Sequence, residues 1–293
     1  MEIKVAEILI PTDFSERSAA AVRYAATMAR RFKSRITLLH VLPPFNIAYP
    51  SQNTPDILTE SVSAHKAESG QRLGLYLARE LKEFAVERVL LEGDPAQQII
   101  DYAASNRTDM IIMETRGTGI FRRYILGSVT AKVLHDAPCP VFTGIHVIEV
   151  DKKQEYSIQR IVCAIDPANQ DVTAIQWAKF LADAFHAQFS VVHVIPAPPF
   201  HLQTYTIESE LRMLLSKGER ERIQRLLEVA GCPPGTETHV LWGPISKVVH
   251  AHAEDTGADL IVIGHGSENG VPGKLHSTGY SIIRDSFCPV LSV

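Results

Sequence analysis

The sequence predicts an α/β fold: two doubly wound domains, each a five-stranded parallel sheet covered by helices. Three observations carry that prediction. The chain has 293 residues, which suits two domains of ordinary size better than one. It repeats itself once along its length. Within each copy, short apolar runs rich in Ile, Val and Leu alternate with longer amphipathic stretches, the pattern of successive βαβ units.

The repeat is carried by five matches in the same order. Ile8-Leu-Ile-Pro-Thr-Asp13 answers Ile161-Val-Cys-Ala-Ile-Asp166, and Ile36-Thr-Leu-Leu-His40 answers Phe189-Ser-Val-Val-His193, both at an offset of 153. Gly93 answers Gly243 and Asp109 answers Asp259 at 150, and Cys139 answers Cys288 at 149. The falling offset marks small deletions in the second copy. A polar run, Val150 to Tyr156, separates the copies and reads as a linker, so the domains span 1–149 and 157–293.

In the first copy, Val5 to Thr12 reads as a strand. Ser15 is positioned to cap an alanine-rich helix, Glu16 to Phe32. Ile36 to Leu42 is the second strand. The four prolines between Pro43 and Pro55 demand a loop, and a long helix from about Leu58 to Phe84 follows. Arg88 to Glu92 is a strand. Pro95 to Ser105 is a helix with Pro in its first turn. Met110 to Glu114 is a strand, Ser128 to His135 a helix, and Val141 to His146 a fifth strand. The strands are nearly continuous apolar runs, as both-faced burial requires.

Composition removes several function classes. The 29 Lys and Arg nearly balance 33 Asp and Glu, for a net charge of −4, and no basic patch suggests nucleic acid as a partner. Apolar runs are strand-sized, so no membrane partner is expected. The opening MEIKVAEILIPTD reads as a first strand and not as a signal peptide. The four cysteines form no C-x-x-C and read as reduced thiols, which predicts a cytoplasmic protein. Cys139 and Cys288 read as inert. His40 and His193 end equivalent strands and read as loop anchors. His250 and His252 lie two apart on a helix, do not share a face, and read as solvated positions with no metal. No metal site and no catalytic residue is expected.

In a doubly wound sheet, ligands bind at the carboxyl ends of strands where strand order reverses. That points to Asp13, to the loop after Val41, and to the run Glu114-Thr-Arg116-Gly117-Thr-Gly119-Ile-Phe-Arg122-Arg123-Tyr-Ile-Leu-Gly127-Ser128-Val129. The run begins at a strand end and finishes at a helix start, where backbone N–H groups suit phosphate.

These residues resemble the universal stress protein family. The run is similar to the family signature G-x2-G-x9-G-[ST]: nine residues separate Gly117 from Gly127, and Ser128 follows. Thr12-Asp13-Phe14-Ser15 resembles the family's first βα loop, and Pro138-Cys139-Pro140-Val141 its entry to the last strand. The resemblance covers both copies and identifies the tandem-domain branch. It implies Rossmann-like domains of the adenine-nucleotide-binding type that pair through their last strands, near Val141 and Val290. The chain would then be an internal pseudo-twofold dimer, and the sequence is compatible with a further homodimer of two chains. It also implies ATP as ligand, with Mg²⁺ or Mn²⁺ able to bridge its phosphates. By position, Pro11, Thr12 and Asp13 would lie at the ribose and adenine side. The backbone of Val41 would read the adenine edge. Arg116, Gly117, Gly127, Ser128 and Val129 would hold phosphates.

Two departures from the signature matter. Glu114 stands where the first Gly belongs and would repel phosphate unless it turned away. In the second copy Gly264-His265-Gly266 is one residue short, His276 replaces the last Gly before Ser277, and Pro272 lies inside the loop. The first copy is therefore the expected nucleotide site of a stress-response regulator. Two rivals stay open: a non-catalytic interaction scaffold with degenerate sites, and a weak ATPase. The ATPase reading lacks a base or water-positioning residue near the loop.

Overall fold

The computed structural model describes residues 3–44, 55–115, 126–144, 156–169, 172–196, 205–265, 267–268, 271–272, 275 and 277–293. The chain divides into two compact units, one built chiefly of residues 4–122 and 127–141 and the other chiefly of residues 142–293.

The first copy contains β1 (Glu7–Pro11), α1 (Glu16–Phe32), β2 (Arg35–Leu42), α2 (Pro55–Leu75) and β3 (Val86–Glu92). It continues through α3 (Pro95–Ser105), β4 (Met110–Glu114), α4 (Ser128–Asp136) and β5 (Val141–Gly144). Its strand order is β3-β2-β1-β4-β5. β1 pairs in parallel with β2 and β4, and β2 with β3. Strand order therefore reverses between β1 and β4.

The second copy contains β6 (Arg160–Ala164), α5 (Thr173–Phe185), β7 (Gln188–Ile195), α6 (Tyr205–Val229) and β8 (Glu237–Trp242). After α7 (Ile245–Thr256) and β9 (Leu260–Ile263) come β10 (Ser267–Glu268) and β11 (Val271–Pro272), then α8 (Ser277–Asp285) and β12 (Val290–Ser292). The order β8-β7-β6-β9-β12 repeats that of the first copy, and all four pairings are parallel. The two-residue strands β10 and β11 pair antiparallel inside the altered loop.

Local chemistry explains most boundaries. The Ser15 hydroxyl accepts the N–H of Ser18 and caps α1, and Lys33 ends it in the left-handed conformation. Asp94 accepts the Gln97 N–H at the start of α3, with Pro95 in its first turn. Gly93 and Gly243 match because both turns need φ near +140°, and a Cβ at Gly243 would lie 2.8 Å from Val248. Every residue of β4 and β9 is buried, as in a parallel sheet covered on both faces. Ala21, Ala25, Met28 and Ala29 of α1 supply one face of that cover.

One helix is shorter than its periodicity predicts. α2 stops at Leu75, not near Phe84, and Leu77 takes φ 50°. Beyond it the chain turns through local bonds, Ala78 N–H to the Leu75 carbonyl and Leu81 N–H to the Leu77 carbonyl, and tertiary bonds join them. The Arg88 guanidinium donates to the carbonyls of Leu73 and Tyr76, and the Tyr76 hydroxyl donates to the Ser15 carbonyl. No helix among the described residues is long and apolar enough to cross a membrane.

The cysteines are poor nucleophiles. Burial pushes the Cys139 and Cys288 thiols up to about 12 and raises the fully buried Cys163 further. Iodoacetamide at pH 8, read by mass spectrometry, is expected to modify these three slowly in the native chain and rapidly in urea. Native Cys163 reacting at the unfolded rate would contradict that burial.

Candidate functional site

The carboxyl ends of β2, β1 and β4 bring two parts of the predicted site to one edge of the first sheet. Pro11 closes β1, and Thr12 is buried just beyond it. The Thr12 N–H donates to the Leu39 carbonyl (2.8 Å). Peptide groups alternate along a strand, so Val41, two residues on, directs its backbone to the same side, past the end of β1. That is where an adenine edge would be read. Asp13 is exposed, and one carboxylate oxygen accepts the Ser15 N–H (3.0 Å), leaving the other for a ligand hydroxyl.

The Thr12 side chain does not reach outward. Its hydroxyl lies 3.0 Å from that of Ser18 and accepts the Phe14 N–H, so it holds the loop. His40 is the anchor its position predicts: Nδ1–H donates to the Thr12 carbonyl (2.7 Å), and burial lowers its pKa below the usual value. His193 makes the equivalent bond to the Ile165 carbonyl (3.0 Å). The sequence reading missed what lies over His40. Phe14, at φ 61°, packs 4.2 Å from its ring and edge-on to Tyr76, with the Arg72 guanidinium 4.5 Å above Phe14. An aromatic residue between Asp13 and the capping Ser15 was the available signal.

On the phosphate side, Gly127 is the N-cap of α4, Ser128 its first residue and Val129 its second. Gly127 takes φ −63° and ψ 145°, which any residue adopts, so its glycine is not demanded by the turn. The expectation that Gly127 offers a free N–H is corrected, because it donates to the Thr115 carbonyl (3.0 Å). The N-cap of α4 offers no side-chain hydrogen bond, so the N–H groups of Ser128, Val129 and Thr130 lack intrahelical acceptors. Arg116 and Gly117 lie outside the described residues, as do Gly119, Arg122 and Arg123.

Glu114 ends β4 and is 7% exposed. Burial raises its pKa to about 8, against the opposing pull of Arg23 and Arg17. The raised pKa favours the uncharged acid near neutral pH, which weakens the repulsion of phosphate expected of a carboxylate. The Thr130 hydroxyl donates to the Glu114 carbonyl (3.0 Å), fixing the start of α4 against the end of β4. An uncapped helix start and a Glu114 whose pKa burial raises fit a phosphate-bearing ligand.

The second copy keeps the ribose-side pattern: Asp166 accepts the Ala168 N–H (3.0 Å). Its helix starts differ. In the first copy an Asp94–Lys132 ion pair (3.3 Å) links α3 to α4. Pro244 and Ser281 occupy the matching positions, and a cavity of about 390 Å³ lies there, lined by Pro196, Gly243, Pro244 and Ile245 together with Ser246, Ser277, Thr278 and Ser281. His276 lies outside the described residues, so no pairing with His265 is described. His250 and His252 are half-buried and not solvated. The His252 ring lies 4.5 Å from His239, and His250 packs edge-on to Phe287. Burial and His239 keep the His252 pKa low. No group of three or more metal-binding side chains occurs among the described residues.

Fold and site together define a tandem α/β protein whose strand ends and open helix start suit a phosphate-bearing ligand. The universal stress protein family model matches residues 5–143 and again 157–293, and the chain belongs to that family. A universal stress protein of Methanocaldococcus jannaschii is 30% identical over 152 residues, 50% of this chain and 84% of that protein. One from Mycobacterium bovis is 24% identical over 301 residues, covering 97% of this chain and 95% of its own. The crystal structure of a universal stress protein from Archaeoglobus fulgidus matches with a TM-score of 0.62 at 25% identity, over 99% of this chain and 96% of that one.

Proposed function

We propose that this chain is an adenine-nucleotide-binding regulator of the stress response, with the first of its two domains (1–149 and 157–293) as the main nucleotide site. It acts in the cytoplasm by changing partners or conformation with ligand occupancy. The observation that carries the reading is the uncapped start of α4 at Gly127, beside a Glu114 that burial keeps neutral. Val41 reads the adenine edge and Asp13 takes a ribose hydroxyl. Ser128 and Val129 receive phosphate oxygens, and Arg116 and Gly117 complete the phosphate loop. A bound Mg²⁺ or Mn²⁺ would neutralise phosphate charge. The role is binding, not turnover.

The scaffold reading draws its support from the second domain, where the signature is shortened and Pro244 replaces the capping Asp94. The two are separated by denaturing the purified protein and assaying the supernatant for adenine nucleotide, then titrating ATP by calorimetry. Co-purified nucleotide, or ATP binding at one site, supports the regulator. An empty supernatant with no heat of binding supports the scaffold. Steady hydrolysis would return the ATPase reading.

A further inference from the structure

Glu114 is a buried group that nucleotide binding by itself does not require. Its Oε1 is shielded from solvent and has no hydrogen-bond partner among the described residues. Such an atom in a low-dielectric site is costly, more so when the carboxyl is charged. The charged groups that face it among the described residues are Arg23 and Arg17, both on α1, the helix packed on β4. Its own main chain holds the first turn of α4 through Thr130.

The repeat adds an independent observation. At the offsets that align the copies, Glu114 corresponds to Gly264, Arg17 to Gln170 and Arg23 to Gln176. The copy without the carboxyl also lacks both cations. The three residues therefore form one set that belongs to the first domain alone, placed where β4 hands the chain to the phosphate loop.

We propose that Glu114 makes nucleotide binding by the first domain proton-linked: the site takes ATP with Glu114 as a neutral acid and rejects it once the carboxyl has lost its proton. The inference rests on the nucleotide reading above and names its regulation. A carboxylate at this strand end would bring a buried negative charge towards the phosphates, offset among the described residues by Arg17 and Arg23 of α1. The neutral acid carries no such charge. Its O–H could donate to a phosphate oxygen of the ligand, an acceptor that the described residues do not offer Oε1. In alkaline solution, ATP binding takes one proton from the buffer onto Glu114 and releases none elsewhere. Burial places the changeover at about pH 8. Arg17 and Arg23 hold it down from a higher value.

The test is calorimetric titration of the full chain with ATP at pH 7, 8 and 9, each in two buffers of different ionisation enthalpy. Wild type is expected to bind about tenfold more weakly at pH 9 than at pH 7, since about a tenth of it is then competent. The heat should report uptake of close to one proton at pH 9. In Glu114→Gln the slope and the proton uptake should both disappear, because the amide cannot titrate. Arg23→Gln should move the wild-type fall to higher pH, since it removes a charge that favours ionisation. A side chain with only a packing role would move none of these. Equal wild-type affinity at pH 7 and 9, or a pH slope in Glu114→Gln that matches wild type, overturns the proposal and leaves nucleotide binding standing. Absence of ATP binding by both proteins at every pH overturns the nucleotide reading and this inference with it.

Discussion

Gly127→Asp is expected to abolish ATP binding by the first domain without harming the fold, while Ser277→Asp leaves binding nearly intact. The backbone at Gly127 has angles open to any residue, so the change introduces no strain. Asp is also a favoured N-cap, and α4 has no side-chain cap of its own. The new carboxylate would accept the N–H groups of the first turn itself and occupy the space a phosphate needs. Two phosphate hydrogen bonds lost at roughly 1–3 kcal/mol each amount to a loss of affinity from about thirtyfold to about ten-thousandfold. Thermal unfolding should show Gly127→Asp as stable as wild type or slightly more so. Ser277 starts α8 in the copy with the shortened signature, so a charge there should not disturb the first site. If the two variants exchange their effects, the working site is in the second domain. Equal effects would mean that the copies share the load.

The second large effect needs no ligand. Glu114→Gln should be more stable than wild type at neutral and alkaline pH, by a margin that grows with pH. The folded pKa is about 8 against an ordinary 4.5. Below 4.5 the carboxyl is protonated in both states and contributes no pH dependence. Between 4.5 and 8 the unfolded chain releases the proton while the folded chain keeps it, so wild-type stability falls as pH rises. Above 8 both states are ionised and the slope ends. At about 1.4 kcal/mol per pH unit, the accumulated loss is roughly 3–5 kcal/mol by pH 8. Other groups titrate as well, so the quantity to measure is the difference between wild type and Glu114→Gln in urea unfolding at pH 5, 6, 7 and 8. A difference that stays constant across that range would show that Glu114 is ionised in the folded chain.

Features that rest on short-range chemistry were legible in the chain of residues alone. The starts of α1 and α3 follow from Ser15 and from Asp94-Pro95, whose capping partners lie three residues away. β4 runs from Met110 to Glu114 as its apolar pattern requires. The repeat dictated the same strand order in both copies, because residues that make the same local choices fold alike. His40 and His193 could be read as anchors because they end equivalent strands.

Properties that depend on partners far along the chain emerged with folding. Arg88, distant in sequence, takes up the Leu73 carbonyl in the last turn of α2. The rings of Phe14, His40 and Tyr76 meet across three separate segments. The N–H of Gly127 is consumed by Thr115 across the intervening loop. Glu114 is the clearest case. A sequence records a carboxylate and its formal charge, but whether the proton stays depends on the solvent that packing removes. Burial against α1 raises its pKa and favours the neutral acid, where the sequence alone records a charge that would repel phosphate.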